Sequence, residues 1–390
     1  MSTTLAAAIA TLIATGMTSA FSHEFTLLAG SGASMILGAF ALVSRDARLY
    51  PTFLLGAVAM SAIALVSSEV NTSEFSSTIH VVSCYLALLG LAFSSSDLSV
   101  FCQRFMMCCN LLLTFWVLYF GFKAEELEAW QIANPAGAGN LMAAQINMTM
   151  PLVLSRITQS QGLKKCSYLV LLLMNCTAVV LMMSRNGIGA MLVVLTLYVL
   201  FNNKKLAVCV IALIGTIIVC ADSIMHIPLI FNLLVKFRLV NFVPKAPRSV
   251  IWQVSMEHIL QHEMLGVGPG EPRKMLAVLD IYHAHNNILQ VAFETGLPSA
   301  AIFVVMVMLL LWQPCRMVFS RREHFVHTLP IIAYLIYAWT GCPLLLPGAT
   351  LLLAACVNEA RVAVHRSDGR SSAWNFASEM RSLGGTPSHG

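Results

Sequence analysis

The chain has 390 residues, of which 58% are hydrophobic and only 11% charged, and its mean hydropathy is +0.77. A soluble domain carries about 25% charged residues, so a chain this poor in charge cannot cover a globular surface, and a soluble enzyme is excluded. The net charge of +5 is spread in small groups between apolar runs and forms no basic stripe, which argues against a nucleic-acid partner.

Apolar runs of helical length recur along the whole sequence, with no alternating ten-residue pattern. The fold class expected is therefore all-α, a polytopic transmembrane helical bundle and not a barrel. The stretch from Met1 to Phe21 lacks a basic n-region and reads as the first span, not as a cleaved signal peptide. The expected spans are about 2–21, 26–43, 51–68, 77–94, 100–120, 137–155, 166–183, 186–202, 206–225, 287–312, 326–340 and 343–358, about twelve in all. The 11 cysteines lie almost entirely inside these spans without a CxxC pair, and read as small apolar residues.

Lysine and arginine set the orientation. With the N-terminus in the cytoplasm, the inner connections hold Arg45 and Arg48; Arg156, Lys164 and Lys165; Lys204 and Lys205; Arg316, Arg321 and Arg322. The tail adds Arg361, Arg366, Arg370 and Arg381, whereas the short outer connections hold little beyond Lys123 among Glu125, Glu126 and Glu128. This bias places residues 222–286 outside, which in a bacterial inner membrane is the periplasm. The domain reading is then transmembrane helices one to nine over 1–225, a periplasmic loop over 226–286, and helices ten to twelve over 287–360. Residues 361–390 read as a disordered cytoplasmic tail.

The longest part that cannot lie in lipid runs from Val243 to Pro298. Ala246-Pro247-Arg248 opens a helix there, because proline fits the first turn, where its missing N–H would be unpaired. Ile251, Trp252, Val254, Ser255, His258, Ile259 and His262 follow at helical spacing, as in a helix on the membrane surface with Trp252 at headgroup depth. The Gly/Pro-rich stretch from Met264 to Pro272 ends it. His283-Ala284-His285-Asn286 leads into a span that Glu294-Thr295-Gly296-Leu297-Pro298 interrupts early, so that span enters the membrane bent.

Four positions could carry chemistry. Arg185 lies in a Ser-Arg-Asn-Gly hairpin between two spans, and a charge at that depth is by default a functional candidate; the alternative is an arginine that snorkels to headgroups. Arg248 puts a planar, phosphate-matched fork at a helix start, where anions are already favoured. His285, among amides and on the same side of the membrane as both arginines, can act as a general base near neutral pH, and His283 is its rival. Asn140, Gln145 and Asn147 make the sixth span polar, and either line a cavity or bond between helices. Zinc on His258, His262, His283 and His285 is chemically conceivable, but HxxxH followed by Glu263 is not HExxH, and no metal is expected. The Gly266-Gly268-Gly270 run is not a dinucleotide loop, since no strand precedes it.

Taken together, Ser184-Arg185 at a hairpin, Arg248-x-x-x-Trp252 opening an outer helix, Gly266-x-Gly268, and His283-x-His285-Asn286 followed by Glu294-x-Gly296-Leu297-Pro298 resemble the O-antigen ligase and polymerase superfamily. The resemblance covers about Asn140 to Pro298 by motif and the rest by span pattern. It implies a metal-independent glycosyltransferase of C-type architecture in the inner membrane, with no cofactor. The donor it implies is a glycan on undecaprenyl pyrophosphate. The acceptor is lipid A-core for a ligase and another lipid-linked repeat for a polymerase. The family's two arginines correspond to Arg185 and Arg248 and its histidine to His285, which precedes Asn286, with His283 as the alternative. Trp252, His283, Asn286 and Asn140 are then expected to contact substrate. The ligase reading is preferred to the polymerase. A protein O-oligosaccharyltransferase ranks third, since it would carry a larger periplasmic part. A transporter of the same lipid would show paired halves and mid-membrane charges, which are not seen.

Overall fold

A computed structural model describes residues 48–123, 139–182, 184–202, 248–279, 281, 283–320, 322–341, 344 and 349–364, with short pieces before residue 48. The fold is an all-α bundle. Its elements are α1 (Pro51–Val70), α2 (Phe75–Ala87), α3 (Ser99–Lys123), α4 (Gly139–Gln159), α5 (Gly162–Leu181), α6 (Arg185–Asn202), α7 (Arg248–Gln261), α8 (Glu271–Met275), α9 (Asn287–Ser320), α10 (Leu329–Thr340) and α11 (349–364). The one sheet among the described residues is a two-residue antiparallel ladder that pairs β1 (Arg48–Leu49) with β2 (Phe93–Ser94).

Among the described residues, four helical segments are long and apolar enough to cross a membrane: Pro51–Val70, Ser99–Tyr119, Gly162–Leu181 and Asn287–Trp312. Phe75–Leu91, Asn186–Asn202 and Phe325–Trp339 are shorter apolar helices. Most of the expected spans 2–21 and 26–43, the span 206–225, the loop from 226 to 247 and the tail beyond 364 lie outside the described residues, though 32–37 is helical. Around the last expected span, a helix is described over 349–364, and its side chains are buried from Ala349 to Ala363.

Lipid offers no hydrophobic drive for helices to associate, so they meet through small residues and interhelical hydrogen bonds. α1 shows the first device. Gly56, Ala57, Ser61, Ala64 and Ser67 form its buried face, and Leu55, Val58, Leu65 and Val66 are exposed. A Cβ at Gly56 would sit 2.7 Å from the sulfur of Met306, so α1 and α9 are in close approach there. The second device ties α3 to its neighbours: Asn110 donates to Thr149 of α4 at 3.0 Å, and Thr114 donates to Asn175 of α5 at 2.6 Å.

These contacts define two ends. At one, Arg156 donates to Gln103, Gln103 donates to Glu359, and Arg361 donates to the carbonyl of Leu91. At the other, α1 terminates, α4, α6 and α9 begin, and α7 packs on α9. The chain between Glu263 and Gly268 is bound there to the break in α9. Gly296 has φ 82 and ψ 174, which interrupts the helix. The amides of Val267 and Gly268 donate to the carbonyls of Phe293 and Glu294 at 2.9 and 3.1 Å, and Leu297 N–H donates back to the Glu263 carbonyl at 2.8 Å. Ser67 of α1 also donates to Leu265 and Glu294 carbonyls. Backbone freed by the break is thus satisfied by protein, as the apolar surroundings demand. Gly266 and Gly296 are required: both have positive φ, and a Cβ on either would strike the main chain of the other segment.

Candidate active site

The site grows out of the start of α9. The side chain of Asn286 caps that helix, its carbonyl oxygen accepting from the amides of Ile288 at 2.9 Å and Leu289 at 3.1 Å. Its amide nitrogen donates to the carbonyl of Trp339, at the end of α10. The cap turns the preceding chain back across the end of the bundle. His285 takes φ 53, a left-handed conformation that costs a non-glycine residue about 1–2 kcal/mol. Such strain persists only where neighbours hold it in place.

The neighbours are visible. Ala284 is fully buried, and both of its main-chain polar groups are paired. Its N–H donates to Gln290 Oε1 at 2.8 Å, and its carbonyl accepts from Trp252 Nε1 at 3.1 Å. Trp252 therefore braces the histidine loop from α7. The indole N–H has a buried protein carbonyl within reach. α7 packs through Ile251, Ser255 and Ile259, spaced by four, and leaves Val250, Met256 and Leu260 exposed.

His283 and His285 lie edge to face, ring centroids 4.1 Å apart. The amide of His285 donates to His283 Nδ1 at 3.4 Å, which leaves the ring proton of neutral His283 on Nε2. Burial pushes both imidazoles below the usual histidine value. His285 falls to about 4, by burial first, then by His283 and the positive charge of Arg248. At neutral pH the ring is unprotonated and can accept a proton. Arg248 itself is exposed at the first position of α7.

Arg185 opens α6 directly after the short link that follows α5, where the Ser184 hydroxyl accepts from the amide of Gly187 at 2.9 Å. Its side chain, like that of Asn140 in α4, lies outside what the structure describes. The backbone position is informative. Asn147 of α4 donates to the carbonyl of Gly187 at 2.8 Å and to the hydroxyl of Tyr337 at 3.3 Å. Two residues along α10 from Tyr337, Trp339 receives the Asn286 amide. The start of α6 and the histidine loop are therefore joined by one turn of α10, at the same end of the bundle. Asn147 serves the bond between helices, the alternative left open from sequence.

The four-imidazole arrangement does not form. His258 stacks on Phe293 with centroids 5.5 Å apart, and His262 is exposed with its Nδ1 against the His258 carbonyl. Among the described residues no three His, Cys, Asp or Glu side chains converge as metal ligands. Sequence reading passed over Gln290 as a site residue and gave Glu294 only a place in the span break. Gln290 Nε2 donates to Glu294 Oε1 at 2.9 Å, both groups are buried, and their spacing of four along α9 was the available signal.

What such an arrangement can do is limited and specific. An unprotonated imidazole can take a proton from a weak nucleophile, and a guanidinium whose charge reaches it can hold or stabilise an anion. No curated protein matches the chain. Residues 169–304 match the family described as O-antigen ligase, a segment that contains Arg185, Arg248, Trp252, both histidines, Asn286 and Glu294. Over that segment the chain is similar to the O-antigen ligase family.

Proposed function

We propose that the protein is an O-antigen ligase of a bacterial inner membrane. In this reading it moves a glycan from undecaprenyl pyrophosphate to a sugar hydroxyl of lipid A-core at the periplasmic face, without a metal or cofactor. The observation that carries the reading is His285: an unprotonated imidazole in a braced left-handed turn, with the charge of Arg248 acting on it and the start of α6 at the same end of the bundle.

The acceptor hydroxyl is a poor nucleophile, so a base must remove its proton as it attacks the anomeric carbon; His285 has that role. The bond to the pyrophosphate breaks in the same displacement, which inverts the anomeric centre. Charge grows on the departing pyrophosphate, and Arg185 and Arg248 stabilise it more in the transition state than in the ground state. The donor carries its own activated bond and no nucleotide is needed. Bound pyrophosphate also offsets the charge of Arg248, so the imidazole becomes more basic when the donor arrives. Asn286 acts by fixing the loop, and Trp252 by holding Ala284.

The test uses purified protein with lipid-linked glycan and either lipid A-core or more lipid-linked glycan as acceptor. Product on lipid A-core alone supports the ligase. Chain growth without core makes the protein a polymerase. No transfer to either acceptor, with movement of the lipid across vesicles, makes it a transporter.

A further inference from the structure

Both polar groups of Ala284 are engaged, but by different kinds of partner. Trp252 is a donor only. Gln290 can present either end of its amide, and the amide's direction is set by what it faces. The N–H of Ala284 can only donate, so Gln290 must offer Oε1 to it, as it does at 2.8 Å. That turns Gln290 Nε2 toward Glu294 Oε1, 2.9 Å away. Nε2 can only donate, so position 294 must supply an acceptor. Gln290 and Glu294 are 3% and 4% exposed, so water does not substitute for either partner.

The result is a one-way chain from Glu294 through Gln290 to the peptide between the two histidines. Its foundation is firm. The carbonyl of Glu294 is held by Gly268 N–H and Ser67, and the next residue, Thr295, bonds the hydroxyl of Tyr85 at 3.1 Å. Its far end is the strained turn at His285. Without the chain, Ala284 N–H has no partner, and the left-handed turn can relax.

We propose that Glu294 is a positioning residue for the transferase reaction, acting through Gln290 to keep His285 in its left-handed conformation. The proposal rests on the function given above. It requires an acceptor at 294 and not a negative charge as such. Glu294→Leu removes the acceptor, Glu294→Gln keeps one, and Gln290→Glu sets two acceptors against each other. The double variant Q290E/E294Q rebuilds the chain with its donor on the opposite side: the carboxylate at position 290 accepts from Ala284 and from the new amide at 294.

The experiment measures steady-state transfer from lipid-linked glycan to lipid A-core, with His285→Ala as reference. E294L and Q290E are expected to lower kcat at least tenfold with donor KM changed less than threefold. E294Q is expected to keep most of the activity E294L loses, and the double variant to recover most of what Q290E loses. Wild-type kcat in E294L, or no recovery in the double variant, overturns the proposal while leaving the reaction intact. Full activity in His285→Ala overturns the reading beneath it instead. Elution as a single species in detergent separates a displaced base from an unfolded bundle.

Discussion

The charge of Arg248 acts on the imidazole of His285 across the gap between two elements that are 37 positions apart in the chain. Its sign is unfavourable to a proton there. With burial and His283, it brings the ring to about 4. A base lowered this far is unprotonated over the whole physiological range and loses activity only as pH falls toward 4. The acid limb of kcat/KM, which reports the free enzyme, is therefore expected near 4 and not near 6.5. The limb of kcat is expected at higher pH, because an anionic donor offsets Arg248 and raises the imidazole. Coincident limbs near 6.5 would contradict this, and Arg248→Gln should shift the kcat/KM limb upward.

Removal of the proposed base is expected to have a larger effect. His285→Ala is expected to lower kcat about 100- to 10,000-fold, the usual share of a general base. Arg185→Ala and Arg248→Ala are each expected to cost about 100- to 1,000-fold, as for loss of one anion-stabilising donor. All three proteins should remain in the membrane at normal levels. Transfer of radiolabelled glycan to lipid A-core provides the measurement.

Asn286 has two separable duties. Asn286→Ala loses the cap and should destabilise the fold by about 1 kcal/mol. Asn286→Asp keeps the oxygen that caps Ile288 and Leu289 but cannot donate to Trp339. It should keep the cap, set a carboxylate oxygen against the Trp339 carbonyl, and lose activity out of proportion to its loss of stability. Unfolding temperature and turnover, measured on both variants, distinguish the two duties.

Gly266→Ala should be costly although it adds one methyl. The new Cβ would lie 2.6 Å from the main chain at Phe293 and Glu294, at a residue with φ +66. Overpacking of this kind costs about 1–3 kcal/mol, and here it acts where the loop is bound to α9. A lowered unfolding temperature in detergent, with activity reduced in parallel, is the expected result. Gly189→Ala, where nothing lies within 4 Å, is the control.

Chelation separates the two chemistries weighed from sequence. Transfer in excess EDTA is expected to equal transfer without it. Loss of activity restored by zinc would require a metal reading.

Composition carried the fold class, because a chain with so few charges has no alternative to a helical bundle in lipid. The helix from Arg248, the tight link at Arg185 and the break after Glu294 were legible for local reasons: a proline, a polar turn and a glycine. α8 and the short 3-10 turn at Leu276–Leu279 were not read, although Gly270 in a left-handed conformation followed by Pro272 starts them. The continuation of the last helix to 364 was not legible, since its buried Asn358, Glu359 and Arg361 lower its apolar signal while their partners are remote in sequence. The bracing of Ala284 was invisible for the same reason. Trp252 lies 32 positions away, and nothing local shows that an indole will face a carbonyl.

The seam between Glu263–Gly268 and the interrupted membrane helix is made of main-chain bonds, which form only because Gly266 and Gly296 let the two backbones meet. In the proposed reading it fixes the turn at His285 relative to the helix that crosses the membrane. On that reading, a headgroup whose own height is dictated by its lipid tail would meet the imidazole at that level, and delivery would be a matter of lateral diffusion into register, not of a protein arm descending on its cargo.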